Sequence, residues 1–233
     1  MAPNDFEFHE KKWGGTMTQY FKNGGDFEAS NPAKIRLQMF RFFFVEEGKA
    51  GLICFGVFGI FLLLAILLGW WLLWGGAVLF AFLSLRYCVG SKWKYRVTTV
   101  CPAVVLSRKP YWMASYANLS GLRNDAYPVI QIRSFGVHKR NGEIAPPGTR
   151  FAILGEFQQY NDDESRWESC GVMLPEDGTS DAKTLKRVLN SIAEEEWATL
   201  DRGVQLLSKP YKHGTYPLFE LESGKVKKKK PRT

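Results

Sequence analysis

The sequence predicts a membrane α-helical hairpin joined to a cytoplasmic α+β domain, the latter a small antiparallel β-barrel or bent sheet of five strands followed by two helices. Three observations carry this. Residues 50–85 contain no charged side chain. From residue 97 the apolar pattern becomes β-branched and strand-like, with turn residues between short runs. After residue 180 the apolar spacing is again helical. The expected organisation is a polar arm over 1–30, an amphipathic interfacial helix over 31–47, a two-span hairpin over 48–90, the cytoplasmic domain over 91–220 and a polybasic tail over 221–233.

The arm is polar, glycine-containing and weakly patterned, so it reads as loop or partly disordered chain. In NPAKIRLQMFRFFFVEEG, Asn31 suits an N-cap and Pro32 a first helical position. Ile35, Met39, Phe42 and Phe43 then fall on one side of a helix, with Lys34, Gln38 and Arg41 on the other. Two placements are open for such a helix: in the membrane interface with its apolar side in lipid, or packed on the protein's own cytoplasmic domain.

As a single helix, residues 50–85 would extend about 54 Å, against a hydrocarbon core of about 30 Å. Tilt does not absorb that excess. Divided at LGWWLLWGG, the run yields spans over about 48–69 and 72–88. It is too long for a signal-peptide core. Lys34, Arg36, Arg41 and Lys49 precede the first span, and Arg86, Lys92, Lys94 and Arg96 follow the second. Basic flanks mark the cytoplasmic side, which predicts both termini in the cytoplasm of a cell with an inner membrane. Trp70, Trp71 and Trp74 are the candidate residues for the opposite interface, where an indole buries its ring and keeps its N–H wet. Small residues recur at Gly56 and Gly59, Ala65 and Gly69, and Ala77 and Ala81; the spacing lets helices approach each other or a second copy, or reflects how common Gly and Ala are in membrane helices, which is the favoured reading. The run holds no ionisable group of the kind an ion or proton path needs.

Five runs read as strands: 97–107, 112–120, 127–135, 149–157 and 167–174. They are separated by GLRND, KRNGE, APPG and NDDES. Ser180 or Asp181 can cap SDAKTLKRVLNSI, whose Leu185, Val188, Leu189 and Ile192 form an apolar stripe. EEEWATLDRGVQLL places Trp197, Leu200, Val204 and Leu207 at helical spacing. Its acidic triplet suits a helix N-terminus through the macrodipole. KPYKHGTYPLF (209–219) is extended by its prolines and reads as a segment packing back across the barrel, or as a recognition strand for a partner.

Six of the eight net positive charges reside in the tail, where 225–233 carries six basic residues and no acidic one. The folded domain is close to neutral, which argues against a nucleic-acid groove. Lys225, Lys227, Lys228, Lys229, Lys230 and Arg232 are candidate contacts for anionic lipid, each contributing about 1 kcal/mol near a charged leaflet. A tail kept for solubility is the competing reading.

The chemistry-bearing residues form no recognisable set. Cys54, Cys88, Cys101 and Cys170 show neither a disulfide framework nor zinc spacing. Phosphate-loop, dinucleotide, HExxH and GxSxG motifs are missing from the sequence. Cys170 with His138 and Asp162 would make a nucleophile–base pair, yet nothing in their spacing supports it, and a cysteine in an alternating strand is ordinarily a small core residue. Trp93, Tyr95, Tyr111, Trp112, Tyr116, Phe135, Phe151 and Phe157, read as strand aromatics, form base-stacking platforms or a barrel core; the charge balance favours core. The expectation is therefore a non-enzymatic interaction or assembly module, with no cofactor and no metal, whose partners are the lipid bilayer and a protein or a second copy. Two alternatives stand beside it: binding of anionic lipid or nucleic acid through the tail, and an enzyme whose site a partner subunit completes.

The order CPAVVLS, YPVIQI, PPGTRFA, EEEWATLDRG, KPYKHGTYPL resembles an uncharacterised bacterial family, a domain of unknown function, over about residues 97–218. The resemblance implies a bacterial source and one folded module. It implies no activity and carries over no site residue.

Overall fold

The computed structural model describes residues 31–45, 48–119, 126–134, 139–140, 143–160 and 167–224. The chain divides into two units, one of residues 34–97 with 175–185, the other of residues up to 33, 98–174 and from 186 onward.

The first unit is built on a helical hairpin. Helix α2 (Lys49–Leu68) and helix α3 (Trp71–Val97) are joined by Gly69 and Trp70 alone. Gly69 ends α2 in the left-handed region, with φ at 63°, and its N–H returns to the Ala65 carbonyl at 3.0 Å. A left-handed residue closing a helix is ordinarily glycine, because any Cβ there is strained. The helices pack through small residues: Ala65 and Ala77 are buried, Gly76 lies flat against the Phe61 ring, and Phe61 stacks on Phe80 at 5.6 Å. Gly56 and Gly59 take no part in this packing and have open space around them. Helix α3 runs to Val97 rather than ending near residue 88; no proline interrupts that stretch, and Gly90 is accommodated within the helix. Trp93 and Tyr95, expected on a strand, therefore lie on its last turns.

Among the described residues of 31–47, the expected amphipathic helix is not formed. Residues 33–38 are extended, and only Met39–Phe42 is helical (α1). Lys34 and Ile35 donate their N–H groups to the carbonyls of Arg96 and Tyr95 at 2.9 and 3.1 Å. The physical reason is visible in AKIRLQ. Ala33, Ile35 and Leu37 are buried while Lys34, Arg36 and Gln38 are exposed, a period of two that suits an extended segment and defeats a helix. Ile35 and Phe42, expected to enter lipid, are buried in the protein. Next comes a helical turn, α4 (Pro175–Gly178), held against this segment. Gln38 N–H reaches the Gly178 carbonyl at 2.8 Å, Arg41 Nε the Glu176 carbonyl at 2.8 Å, and Ser180 gives N–H and Oγ–H to Gln38 Oε1 at 3.1 and 3.0 Å.

Helix α5 (Ala182–Asn190) is capped by Asp181, one of the two expected caps, whose carboxylate accepts from Lys183 and Thr184 N–H at 3.3 and 3.1 Å. Those hydrogen bonds, that of the Thr184 hydroxyl first, hold the Asp181 carboxyl below its ordinary value.

The second unit is a six-stranded antiparallel sheet in the order β7-β6-β1-β2-β3-β8, curled into a half-barrel. Its strands are β1 (Thr99–Arg108), β2 (Tyr111–Asn118), β3 (Pro128–Arg133), β6 (Arg150–Tyr160), β7 (Trp167–Met173) and β8 (Gly214–Pro217). A separate ribbon pairs β4 (Lys139–Arg140) with β5 (Glu143–Ile144). The five expected runs correspond to β1, β2, β3, β6 and β7. The sixth strand comes from the extended 209–219 segment, which pairs Gly214–Pro217 with Val129–Ile132 at the β3 edge. An exposed edge row of N–H and C=O groups is a liability that such pairing removes, and Pro217 suits an outer strand.

One face of the sheet is covered by helix α6 (Glu194–Leu206), which buries Trp197, Leu200 and Gly203. Gly203 lies so close to Ile130 that any side chain there would overlap it. Arg150 pairs with Asp201 at 2.5 Å and sits 5.1 Å over the Trp197 ring. Helix α7 (Leu218–Glu222) follows, burying Leu218 and Leu221. The other face forms the interior of the curl.

Candidate functional site

The interior face is set by register. Ala103 on β1, Ser115 on β2 and Gln131 on β3 are direct cross-strand partners, as are Val105 with Met113 and Cys101 with Ile153. Successive side chains on a strand point to opposite faces, so Val129, Gln131 and Arg133 share the interior, while Ile130 and Ile132 face α6.

The apolar interior is split into two clusters. One comprises Cys101, Ala103, Val105, Tyr111, Met113, Ala145, Phe151, Ile153, Val172 and Leu174. The other comprises Ala117, Leu119, Val129, Phe157, Trp167 and Cys170. Between them, on β2, lies Ser115, and on β6 lies Gly155. A Cβ at Gly155 would stand 2.9 Å from Cys170 Sγ and 3.1 Å from Cys101 Sγ, so the two thiols occupy the space this glycine leaves.

Ser115 and Gln131 are each 1% exposed, and Ser115 Oγ and Gln131 Nε2 have no hydrogen-bond partner among the described residues. Arg133 completes the cluster. Its guanidinium donates to Gln131 Oε1 at 3.3 Å and to the Cys170 carbonyl. Burial pulls its pKa below the ordinary arginine value. A buried donor without an acceptor is costly, and convergent donors of this kind are satisfied by an ordered water or by an oxygen of a small ligand.

Burial disfavours the thiolate form of both cysteines. Both are buried. Burial pushes Cys170 up to about 12, against a lowering by the Arg133 charge, and lifts Cys101 well above its ordinary value. His138 and Asp162, the base and carboxylate weighed against Cys170 in the sequence, lie outside the described residues. Among the described residues no group of three or more His, Cys, Asp or Glu side chains could hold a metal ion. Tyr95, Tyr111, Phe151 and Phe157 are buried and serve the core. Phe135 falls outside the described residues.

On the hairpin, Trp70, Trp71 and Trp74 cluster at the two-residue turn with 57%, 74% and 47% exposure. The tail candidates Lys225, Lys227, Lys228, Lys229, Lys230 and Arg232 lie outside the described residues, as does the arm over 1–30.

Comparison with known proteins identifies the family. A model described as "Protein of unknown function (DUF3239)" matches residues 89–208, from the last turns of α3 through α6. The chain belongs to the DUF3239 family. No curated protein matches it. A crystal structure of a provisionally named membrane protein from Corynebacterium diphtheriae is similar over 51% of this chain and 98% of its own, at 17% identity and a TM-score of 0.39. The DUF3239 segment thus holds the Ser115–Gln131–Arg133 cluster and both buried thiols, but neither the hairpin turn nor its tryptophans.

The Ser115–Gln131–Arg133 cluster was not expected from the sequence. The run YPVIQIRSF reads as a strand, and nothing in it singles out Gln131 or Arg133. The curl buries both sides, which a period of two does not announce.

Proposed function

We propose that this DUF3239 protein is an integral membrane protein of the inner membrane, with both termini in the cytoplasm, whose half-barrel unit is a non-enzymatic interaction or assembly module. The observation that carries the membrane reading is the hairpin surface. Lys49–Leu68 and Trp71–Val97 are long and apolar enough to cross a bilayer, and only 11% of each apolar window is buried inside the chain. Ile53, Leu67, Trp71, Val78, Phe82 and Leu85 are all exposed. Exposed apolar area on this scale is unfavourable in water by about 25 cal/mol per Å², and lipid relieves it. The basic flanks and the uncharged Gly69–Trp70 turn support the orientation. Supporting the module reading are the burial and protonation of both sheet thiols and the curled sheet's compact, neutral character. Its partner is a protein or a second copy, and the tail adds attraction to anionic lipid.

The test uses the full chain in bacterial membranes. With Cys54 and Cys88 replaced by Ala, Trp71→Cys is expected to react with a membrane-impermeant maleimide from outside intact spheroplasts, and the chain to resist carbonate extraction. Labelling only in inverted vesicles would overturn the topology, and carbonate release would overturn the spans. For the module, cross-linking in the same membranes should yield one discrete adduct of defined mass. A chain that stays uncross-linked at native abundance counts against it.

A further inference from the structure

We infer that Phe40 and Phe44 form an aromatic wedge that enters the headgroup–acyl boundary of the membrane at the end of the hairpin opposite the tryptophans. This rests on the reading of α2 and α3 as spans. Helix α1 and the turn after it have two sides. On the inner side Phe42 is 3% exposed, stacks on Tyr87 at 6.1 Å and meets Tyr95 edge-on at 5.7 Å, while Phe43 meets Phe55 at 5.3 Å. On the outer side Phe40 and Phe44 are 81% and 66% exposed and touch each other at 5.3 Å, edge to face. The segment is tied to α4, by Gln38 N–H to the Gly178 carbonyl and by Arg41 Nε to the Glu176 carbonyl. Two large aromatic rings are therefore held outward on a fixed support, where water leaves their apolar area unburied.

The position selects the occupant. Tyr87 lies about 24 Å along α3 from Trp71, and Phe55 about 20 Å along α2 from Leu68. With the tryptophans at one face of a core about 30 Å thick, those residues stand near the other face. Phe55 is itself exposed on the span surface and meets Phe43, the chain neighbour of Phe44. Lys49, Arg86 and Lys92 are exposed at the same end, suited to lipid phosphate. A bilayer supplies both surfaces at once, acyl chain for the rings and anionic headgroups for the cations. This is the opposite side of the segment from the one the sequence pattern selects.

The test is spin-label accessibility in reconstituted full-length protein, with Cys54 and Cys88 replaced by Ala. Labels at Phe40→Cys and Phe44→Cys are compared with Ile60→Cys in mid-span and Lys183→Cys in water. The expected result is an oxygen-to-nickel-chelate accessibility ratio several-fold above that of Lys183 and below that of Ile60. A Phe44 ratio equal to that of Lys183, with Ile60 deep, would overturn the wedge and leave the spans standing. Aqueous accessibility at Ile60 would overturn the span reading and the wedge with it. Spin–spin broadening at Phe44 that disappears on dilution with unlabelled chain would make a second copy the occupant and overturn the lipid assignment.

Discussion

The Arg133 guanidinium on β3 donates to the carbonyl oxygen of Cys170 on β7, although β2, β1 and β6 lie between those strands in the sheet. At about 4.8 Å per strand a flat sheet would hold the two residues beyond the reach of an arginine side chain. The hydrogen bond therefore measures the curl. A second link acts at one end, where Trp167 N–H donates to the Leu119 carbonyl at 2.9 Å. Curling seals the interior and buries Ser115 and Gln131 with it.

Replacing Arg133 by Met keeps the length of the stem and removes both donations. A charged hydrogen bond to a buried acceptor contributes about 1.5–3 kcal/mol, and partial solvent access at Arg133 lowers the expectation to about 1–2 kcal/mol of destabilisation. Thermal unfolding of the full chain in detergent checks this. An unchanged melting temperature would remove Arg133 as the tie across the half-barrel.

Gly155→Ala should destabilise, although replacing a strand glycine ordinarily gains about 0.5–1 kcal/mol. The new methyl would stand 2.9 Å from Cys170 Sγ, and overpacking of this kind costs about 1–3 kcal/mol. Adding Cys170→Ala frees the volume and should recover most of the loss. A double-mutant cycle with zero coupling energy would show that glycine and thiol do not share that space.

The thiols make stability depend on pH in one direction. Cys170 is pushed from 9.0 up to about 12 in the folded chain, chiefly by burial. An acid whose folded pKa is raised keeps its proton while the unfolded chain loses it, so its contribution is intact below about 9 and is lost as pH rises toward about 12. Tyr116, pushed from 10.0 to about 12, acts the same way at the upper end of that range. Melting temperature should fall from pH 9 to 11, with a shallower slope in Cys101→Ala/Cys170→Ala. Iodoacetamide at pH 8 should modify neither thiol until the chain unfolds; rapid native labelling would mean an open interior.

The tail is tested by deletion of residues 225–233. Full-length chain in neutral-lipid nanodiscs should associate with anionic vesicles at low salt and lose that association as salt screens the six basic residues. The truncated chain should bind no better than the full chain does at high salt. Equal binding by both would assign the tail no role at the leaflet.

Residue 31 onward shows where sequence reading and structure part. An i, i+3, i+4 set can be found in 35–43, and so can an alternation in 33–38; the helical reading follows the first. Which one governs depends on what each side chain meets, and Tyr95 and Arg96 offer backbone carbonyls that an extended strand satisfies. The partner carbonyls are about sixty residues away in sequence, and no local pattern records them.

By itself the sequence determined the hairpin, its turn at Gly69, five of six sheet strands and both long C-terminal helices. These follow from local physics: apolar length against bilayer thickness, the conformational freedom of one glycine, and periods of two and 3.6. Tertiary structure alone decided that β8 completes the sheet edge, that Gln131 and Arg133 turn inward, that two thiols share the space over Gly155, and that Phe40 and Phe44 rather than Ile35 and Phe42 face outward. Each of these depends on curvature and on contacts between residues far apart in the chain, where the same local pattern is compatible with either face.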